Sequence, residues 1–239
     1  MIKEAIDRIL SLAVVERIEQ DGRPYTSKAI HPILRPEPKT LGVNTLTGIR
    51  DYLAENKDGL DLDTLIVHVV SPREVRLFSG LCGEFEQRRA FVTSEHKMPE
   101  FEFGKYYDIE SFVIAMQAFF VQDEMTANLL QLVGTITDDL ITVYADDGVT
   151  QQVTAKTGIG RVEQRMVPNP VALSPYRTFL EVEQPSGRYL FRLKSGVASE
   201  KRPSAALFEA DGGAWKLEAI RRIQYWLRLN VPESVAVIA

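Results

Sequence analysis

Apolar residues recur every three or four positions near both ends of the chain. In residues 2–14, Ile2, Ile6 and Ile9 belong to one apolar stripe, and charged residues lie outside it. In residues 214–230, a second stripe is accompanied by a basic outer face. This spacing matches the 3.6-residue turn of the α-helix, so it predicts an amphipathic helix over each range.

Residues 108–133 carry the longest helical pattern of the sequence. Phe112 and Met116 belong to an apolar stripe that continues through this range. Asp108 is a residue type that caps the start of helices, and Gly134 is a type that follows their end. We therefore predict one helix of about 40 Å, at about 1.5 Å per residue, that forms a central spine.

Three short runs between residues 64 and 93 have the pattern of β-strands. Residues 65–70 are apolar and mostly β-branched, which indicates a buried strand. Residues 74–79 alternate between polar and apolar, and residues 88–93 read as a third strand. A small antiparallel meander over residues 64–93 is therefore predicted.

Turn sequences predict two further hairpins in the second half of the chain. One is centred on residues 146–148 (Asp-Asp-Gly), and the other on residues 185–187 (Pro-Ser-Gly). The second hairpin would pair a strand over residues 178–184 with a strand over residues 188–194.

The predicted elements indicate an α+β protein. Antiparallel sheets and hairpins would pack on the long central helix, because strands and helices do not alternate regularly. Residues 31–38 contain three prolines, which exclude a helix and favour an extended arm. We predict an N-terminal helix and arm over residues 1–40, and one α+β body over residues 41–239 with a candidate sub-boundary near 135–140.

Composition and charge narrow the class of protein. The chain has 239 residues, of which 45% are apolar and 26% charged, as in soluble globular proteins. Its apolar stretches are shorter than the roughly 20 residues of a membrane span, and its first residues lack a signal-peptide core. Cys82 is the single cysteine, so an internal disulfide is excluded and a cytoplasmic location is expected.

The charges are unevenly distributed along the chain. Residues 1–160 contain 16 basic and 25 acidic residues, a net charge of −9, whereas residues 161–239 contain 12 and 8, a net charge of +4. The total of −5 makes general nucleic-acid binding unfavourable. An anion or the acidic half of a second copy would dock on the basic third. The candidate binding residues are Arg177, Glu181, Arg188, Arg192, Lys194, Arg221 and Arg222.

No set of residues matches a catalytic or metal-binding motif. His31, His68 and His96 each lack a second histidine, a cysteine or clustered acids at ligand spacing. We therefore predict a non-enzymatic protein with no catalytic residue, metal ion or cofactor. The weakest alternative is a metal-dependent hydrolase that uses the aspartate pairs at 138–139 or 146–147.

Two regions of the sequence resemble a known family. Residues 98–112 (MPEFEFGKYYDIESF) form one, and residues 175–185 (PYRTFLEVEQP) followed by residues 206–215 (ALFEADGGAW) form the other. Together they resemble the YfdQ-like family of phage and prophage proteins, a domain of unknown function, over roughly residues 40–230. The resemblance implies a phage-encoded protein in the cytoplasm of a bacterial host. It implies no catalytic residue.

Arg177 and Glu181 are predicted to share one face of the strand over residues 178–184. As a pair on a sheet they would be structural, and as a functional pair they would bind an anion or a partner protein.

Two functions are compatible with these patterns. The first is a self-associating protein that forms a homo-oligomer or a capsid-like shell, as the proline-rich arm and the charge asymmetry indicate. The order of arm, hairpin, long helix and later sheets is also the order of parts in capsid-like shell proteins. The alternative is an accessory of phage DNA metabolism or counter-defence that binds nucleic acid, a nucleotide or a host protein.

Overall fold

The computed structural model describes residues 2–13, 15, 17–20, 23–26, 39–83, 86–134, 142–146, 151–157, 161–166, 169–194 and 203–239. The chain divides into two compact units, Met1–Lys39 and Thr40–Ala239. In chain order, the described helices and strands are α1 (Ile2–Ala13), β1 (Arg17–Gln20), β2 (Arg23–Thr26), β3 (Leu41–Val43), α2 (Leu46–Glu55), β4 (Ile66–Ser71), β5 (Glu74–Phe78), β6 (Ala90–Glu95), β7 (Tyr107–Asp108), α3 (Ile109–Phe119), α4 (Glu124–Gly134), β8 (Thr142–Asp146), β9 (Gln151–Thr157), β10 (Arg161–Met166), β11 (Val171–Leu173), β12 (Gly187–Lys194), β13 (Ser204–Glu209), α5 (Trp215–Asn230) and β14 (Ala236–Ile238). This content places the protein in the predicted α+β class.

The first unit contains α1 and an antiparallel pair of strands, β1 and β2. The amphipathic pattern predicted this helix, and the structure confirms it. Its apolar residues Ile2, Ile6, Ile9 and Leu10 are 50–81% exposed. The predicted proline-rich arm at residues 31–38 lies outside the described residues.

The second unit contains a five-stranded sheet with the order β14-β4-β5-β6-β3. The predicted meander over residues 64–93 is confirmed, because β4, β5 and β6 pair in antiparallel order. The two edge strands, β14 and β3, pair in parallel with β4 and β6. Helices α5 and α2 pack on β4 and β6, and the apolar residues between them and the sheet form the first core.

A four-stranded antiparallel sheet in the same unit has the order β11-β12-β13-β7. Along β12, Tyr189, Phe191 and Leu193 alternate inward and are almost fully buried. They pack with residues of α3 and α4, such as Phe112 and Met116, to form the second core. The strand predicted over residues 188–194 is therefore confirmed.

The predicted central helix over residues 108–133 is instead two helices, α3 and α4. Asp108 caps α3 as predicted, since its carboxylate accepts a hydrogen bond from Ser111 N at 3.0 Å. The helix ends at Phe119 because the next residue is extended and the backbone pairs with another segment. The Val121 amide donates to Ser174 O at 2.9 Å, and the Tyr176 amide donates to Phe119 O at 2.8 Å.

A second cap restarts the helix after this break. The Asp123 carboxylate accepts from Thr126 N at 2.8 Å, and the Thr126 hydroxyl donates to Val121 O at 2.9 Å. Within the described part of the second unit, no long helix therefore forms a spine. The second core is instead covered by the two shorter helices α3 and α4.

The predicted hairpin over residues 178–194 is wrong in its first half. Residues 178–184 form no strand, and β12 pairs with β11 and β13 instead. The Gln184 side chain forms hydrogen bonds to this backbone that a paired strand would otherwise form. Its Oε1 atom accepts from Arg177 N at 3.1 Å and Thr178 N at 3.2 Å, and its Nε2 atom donates to Phe179 O at 3.0 Å.

A third sheet has the order β10-β9-β8 and is antiparallel. The pairing of β8 with β9 confirms the hairpin predicted around residues 146–148. The tip of that hairpin and the candidate sub-boundary near 135–140 lie outside the described residues.

Candidate functional site

An open cleft of about 470 Å³ lies in the second unit. Five separate segments supply its walls: the turn between β4 and β5, residues 100–103, residues 175–177, the end of β13 and the start of α5. Charged and aromatic side chains face one another across it. Those used below are Arg73, Glu100, Tyr176, Arg177, Trp215 and Lys216.

Arg177 is the most buried charged residue of the cleft, with 4% of its side chain exposed. Its Nη1 atom donates to Glu209 Oε1 at 2.8 Å, and its Nη2 atom lies 4.0 Å from Asp211 Oδ2. The guanidinium carbon lies 3.8 Å from the centre of the Trp215 ring and 5.8 Å from that of Tyr189. Arg177 is thus held by two carboxylates and two aromatic rings.

Burial shifts the pKa values of two members of this cluster, Arg177 and Tyr189. It lowers the pKa of Arg177, and Tyr189, Glu209 and Asp211 act in the opposite direction. Burial raises the pKa of the Tyr189 phenol, Arg177 acts against that shift, and the two carboxylates add to it. Since arginine stays protonated in proteins, the pair consists of a guanidinium cation and a neutral phenol at physiological pH.

Gly187 provides the space in which three polar atoms of the cluster meet. A Cβ atom built on Gly187 would lie 2.8 Å from Arg177 Nη2, 2.8 Å from Tyr189 OH and 3.0 Å from Asp211 Oδ2. Distances below 3.0 Å are not found for real Cβ contacts. A larger residue at the first position of β12 would therefore push apart the side-chain ends that form the ion cluster.

Three buried donor atoms of two cleft-lining residues lack acceptors among the residues that the structure describes. They are the Nε and Nη2 atoms of Arg177 and the indole Nε1 atom of Trp215. Arg177 Nη2 lies 4.0 Å from the Asp211 carboxylate, too far for a hydrogen bond. A buried polar group without a partner costs roughly 1–3 kcal/mol. The polar groups behind this part of the cleft wall are therefore incompletely satisfied within the described residues.

Three cations and two carboxylates line the cleft. Arg73 pairs with Glu100, with Nη2 at 2.6 Å from Oε2, and Arg177 pairs with Glu209. Lys216, in the first turn of α5, forms no ion pair with any residue in the described part of the chain. Asp211 behind Arg177 balances the total charge, so Lys216 is the cation that remains without an ion-pair partner among the described residues for an anion to contact.

The structure separates the seven predicted binding residues. Only Arg177 lies in the cleft. Glu181 does not pair with Arg177; its carboxylate accepts from Thr47 N at 3.0 Å in the first turn of α2. Arg188, Arg192 and Lys194 alternate on the outward side of β12, where the Lys194 ammonium lies 4.1 Å from the centre of the Tyr106 ring.

The two arginines of α5 have different environments. Arg221 is exposed. Arg222 Nη1 donates to Glu183 O at 3.1 Å and lies 3.1 Å from Glu183 Oε2, while its Nε atom donates to Glu218 Oε1 at 2.8 Å. Arg222 therefore fastens the segment before Gly187 to α5, and neither residue reaches the cleft.

Sequence reasoning missed Arg73, Glu209, Trp215 and Lys216 as site residues. The stretches that carry the family resemblance do, however, overlap the cleft. Each of its three stretches supplies cleft residues: 98–112 contributes Glu100, 175–185 contributes Tyr176 and Arg177, and 206–215 contributes Glu209 and Trp215. No periodicity connects these stretches, so only the fold brings them together.

No group of three or more His, Cys, Asp and Glu side chains suitable for a metal ion occurs in the part of the chain that the structure describes. Of the aspartates considered for a hydrolase, Asp138, Asp139 and Asp147 lie outside the described residues. Within the described ranges, no helix is long and apolar enough to cross a membrane.

No family model, curated protein or solved structure matches this chain. The cleft itself is therefore the basis for a functional assignment.

Proposed function

We propose that this is a non-enzymatic binding protein that holds a small anionic ligand in the Arg177 cleft. The observation that carries the proposal is the set of buried donors, Arg177 Nε and Nη2 and Trp215 Nε1, that lack acceptors among the described residues at an open cleft. Lys216 adds a positive charge at the cleft wall. An anion would supply acceptor atoms and a partner for the Lys216 ammonium.

The size of the cleft favours a small molecule over a nucleic acid. Ligand pockets typically measure about 300–1,000 Å³, and this one is about 470 Å³. Nucleic-acid binding relies on many unpaired Lys and Arg residues along one surface. Here Arg73 and Arg177 are already paired with Glu100 and Glu209.

Isothermal titration calorimetry with AMP and inorganic phosphate tests the proposal. We expect AMP to bind the full chain, and Lys216→Gln to weaken binding about three-fold to ten-fold, because it removes the unpaired cation. Arg221→Gln is the matched control, since it removes one exposed positive charge outside the cleft. Absence of binding, or equal losses in both variants, would overturn the proposal.

Self-association is the second candidate function, and one observation favours it. The apolar stripe of α1 is 50–81% exposed at Ile2, Ile6, Ile9 and Leu10. Burying such a stripe against a second copy would remove it from water, which stabilises an oligomer. The assembly that we propose here is a homo-oligomer or a capsid-like shell.

Light scattering coupled to size-exclusion chromatography tests self-association. We expect a mass above the 26.9 kDa of one chain, and a shift towards it in an Ile6→Glu, Ile9→Glu variant. Lys3→Glu, Arg8→Glu, outside the stripe, is the control. A monomeric wild-type protein would refute this candidate.

A phage or prophage origin, and a place in the cytoplasm of the bacterial host, belong to the same proposal. They rest on the resemblance of three stretches of the sequence, residues 98–112, 175–185 and 206–215, to the YfdQ-like family. A nucleotide-sized ligand would fit an accessory role in phage DNA metabolism or counter-defence.

A further inference from the structure

We propose that the ligand of the Arg177 cleft carries a planar aromatic ring as well as its anionic group. This inference rests on the proposed anion binding and adds a second requirement. It concerns the uncharged part of the cleft wall, where aromatic and proline side chains predominate.

Tyr176 supplies the first reason. Tyr176 is half-buried and lines the cleft, and no aromatic or cationic side chain of the described residues stacks on its ring. The neighbouring rings are occupied. Phe103 stacks on Tyr189 at 5.1 Å with 13° between the planes, and Trp215 holds Arg177 at 3.8 Å. Tyr176 is thus the ring that remains for a ligand.

The rigidity of the wall supplies the second reason. Pro72 and Pro175 also line the cleft, and Pro175 directly precedes Tyr176. The Tyr176 amide donates to Phe119 O at 2.8 Å, and the following amide is held by Gln184. A preorganised flat ring favours a flat partner, since little conformational freedom is lost on stacking.

The sequence order of the wall supplies the third reason. Arg177 follows Tyr176, and Lys216 follows Trp215. Two of the four aromatic residues at the wall, Tyr176 and Trp215, are therefore each followed by a cation that lines the same cleft, whereas Phe101 and Phe103 are not. A molecule that joins a ring to a phosphate or carboxylate would engage both kinds of group at once. The shared chemistry is that of a nucleoside monophosphate or an aromatic acid.

Two matched pairs of probes test the ring requirement by calorimetry on the full chain. AMP is compared with ribose 5-phosphate, which lacks the base, and phenylacetate is compared with acetate, which lacks the ring. We expect a ring-bearing probe to bind about ten-fold or more tightly than its ringless partner. The pair with the larger ratio identifies the nucleotide or the aromatic acid as the class.

Two variants test whether the Tyr176 ring causes the tighter binding of the ring-bearing probes. Tyr176→Leu keeps an apolar side chain but removes the ring, so we expect it to abolish most of the preference. Tyr176→Phe keeps the ring and should bind within about two-fold of the wild type. A chemical-denaturation curve for each variant controls for folding.

The outcomes separate this inference from the proposed function. If ribose 5-phosphate binds as tightly as AMP and acetate as tightly as phenylacetate, the ring requirement is wrong but anion binding stands. A ring preference that survives in Tyr176→Leu also overturns the inference, because another surface would then supply it. If no probe binds, the proposed function fails and this inference fails with it.

Discussion

The guanidinium carbon of Arg177 lies 3.8 Å from the centre of the Trp215 ring. Arg177 belongs to an irregular segment between β11 and β12, and Trp215 begins α5. Their contact, together with the ion pair to Glu209 at the end of β13, connects three parts of the second unit at the cleft. Arg177 thus has a structural role beside the proposed binding role, and the two are separable by experiment.

We predict that Arg177→Leu lowers the free energy of unfolding by about 3 kcal/mol. The change removes the cation that faces Glu209 and the buried Asp211, and breaking one partner of a buried pair is strongly destabilising. Arg188→Leu, on the exposed side of β12, should change it by less than about 0.5 kcal/mol. Urea denaturation measures both, and equal effects would contradict a structural role for Arg177.

Gly187→Ala should destabilise the protein by about 1–3 kcal/mol, the range for overpacking a filled site. The added Cβ would lie 2.8 Å from Arg177 Nη2 and from Tyr189 OH. Gly42→Ala in the edge strand β3 is the control, because nothing lies within 4 Å of a Cβ there. Thermal unfolding of both variants checks this. A wild-type midpoint for Gly187→Ala would show that the side chains of the ion cluster can move apart without destabilising the protein.

Neighbouring arginines on α5 should differ in their contribution to stability. Arg222→Ala removes the bonds to Glu183 and Glu218, and we expect a loss of about 1 kcal/mol, discounted because the side chain is partly exposed. Arg221→Ala should have almost no effect. Chemical denaturation of the two variants measures this difference. Equal midpoints would show that the bonds of Arg222 to the segment before Gly187 do not stabilise the protein.

Met116→Asp should prevent the protein from accumulating in soluble form. Met116 is fully buried in the second core, and an unpaired buried charge costs several kcal/mol, comparable to the total stability of a domain. Ile114→Asp on the same helix is matched in chemistry, but Ile114 is 59% exposed. Soluble expression of the two variants should therefore differ sharply, and equal yields would mean that α3 presents another face to the core.

Stability should fall between pH 10 and about 12 because of Tyr52. Burial, followed by the hydrogen bond and charge of Asp58, raises the pKa of Tyr52 from 10.0 to about 12. Above pH 10 the unfolded chain loses the phenol proton while the folded protein keeps it, so the free energy of unfolding decreases with pH. The stabilising contribution is complete below pH 10.

Tyr52→Phe lacks this proton, so the pH dependence of its unfolding free energy should be shallower in the same interval. Absorbance titration of the tyrosines gives an independent check. Wild-type and variant curves that run parallel from pH 10 to 12 would contradict this prediction. They would show that the hydrogen bond from Tyr52 to Asp58, at 2.7 Å, does not raise the pKa of the Tyr52 phenol.

The sequence was informative where structure is local. The β-branched run at β4 and the alternation at β5 predicted strands, because side-chain pattern follows burial directly. The Asp108 cap was predicted because capping involves residues three apart. The break after Phe119 was missed for the opposite reason: it depends on hydrogen bonds from Val121 and Tyr176 that cross between distant segments.

The cleft was harder to predict than the fold. Arg177 was selected for its charge, but Glu181 was assigned as its partner because residues 178–184 alternate like a strand. The Gln184 side chain instead forms hydrogen bonds to that backbone, and Glu209 at the end of β13 is the ion-pair partner. A pairing between segments that are distant in the sequence is not visible in local spacing, and the same applies to Trp215.

The arrangement of the two cores has a consequence for synthesis on the ribosome. Every residue of the second core lies between Val92 and Ile223 of the first core, and Phe179 and Val182 of the first core also fall inside this stretch. A nascent chain that has just released β13 already contains the whole second core. The strands of the meander are made earlier, yet their apolar face lacks α5 until the last stage of translation. We therefore expect the second core to fold first. The strands of the meander would complete their packing only after α5 has been synthesised.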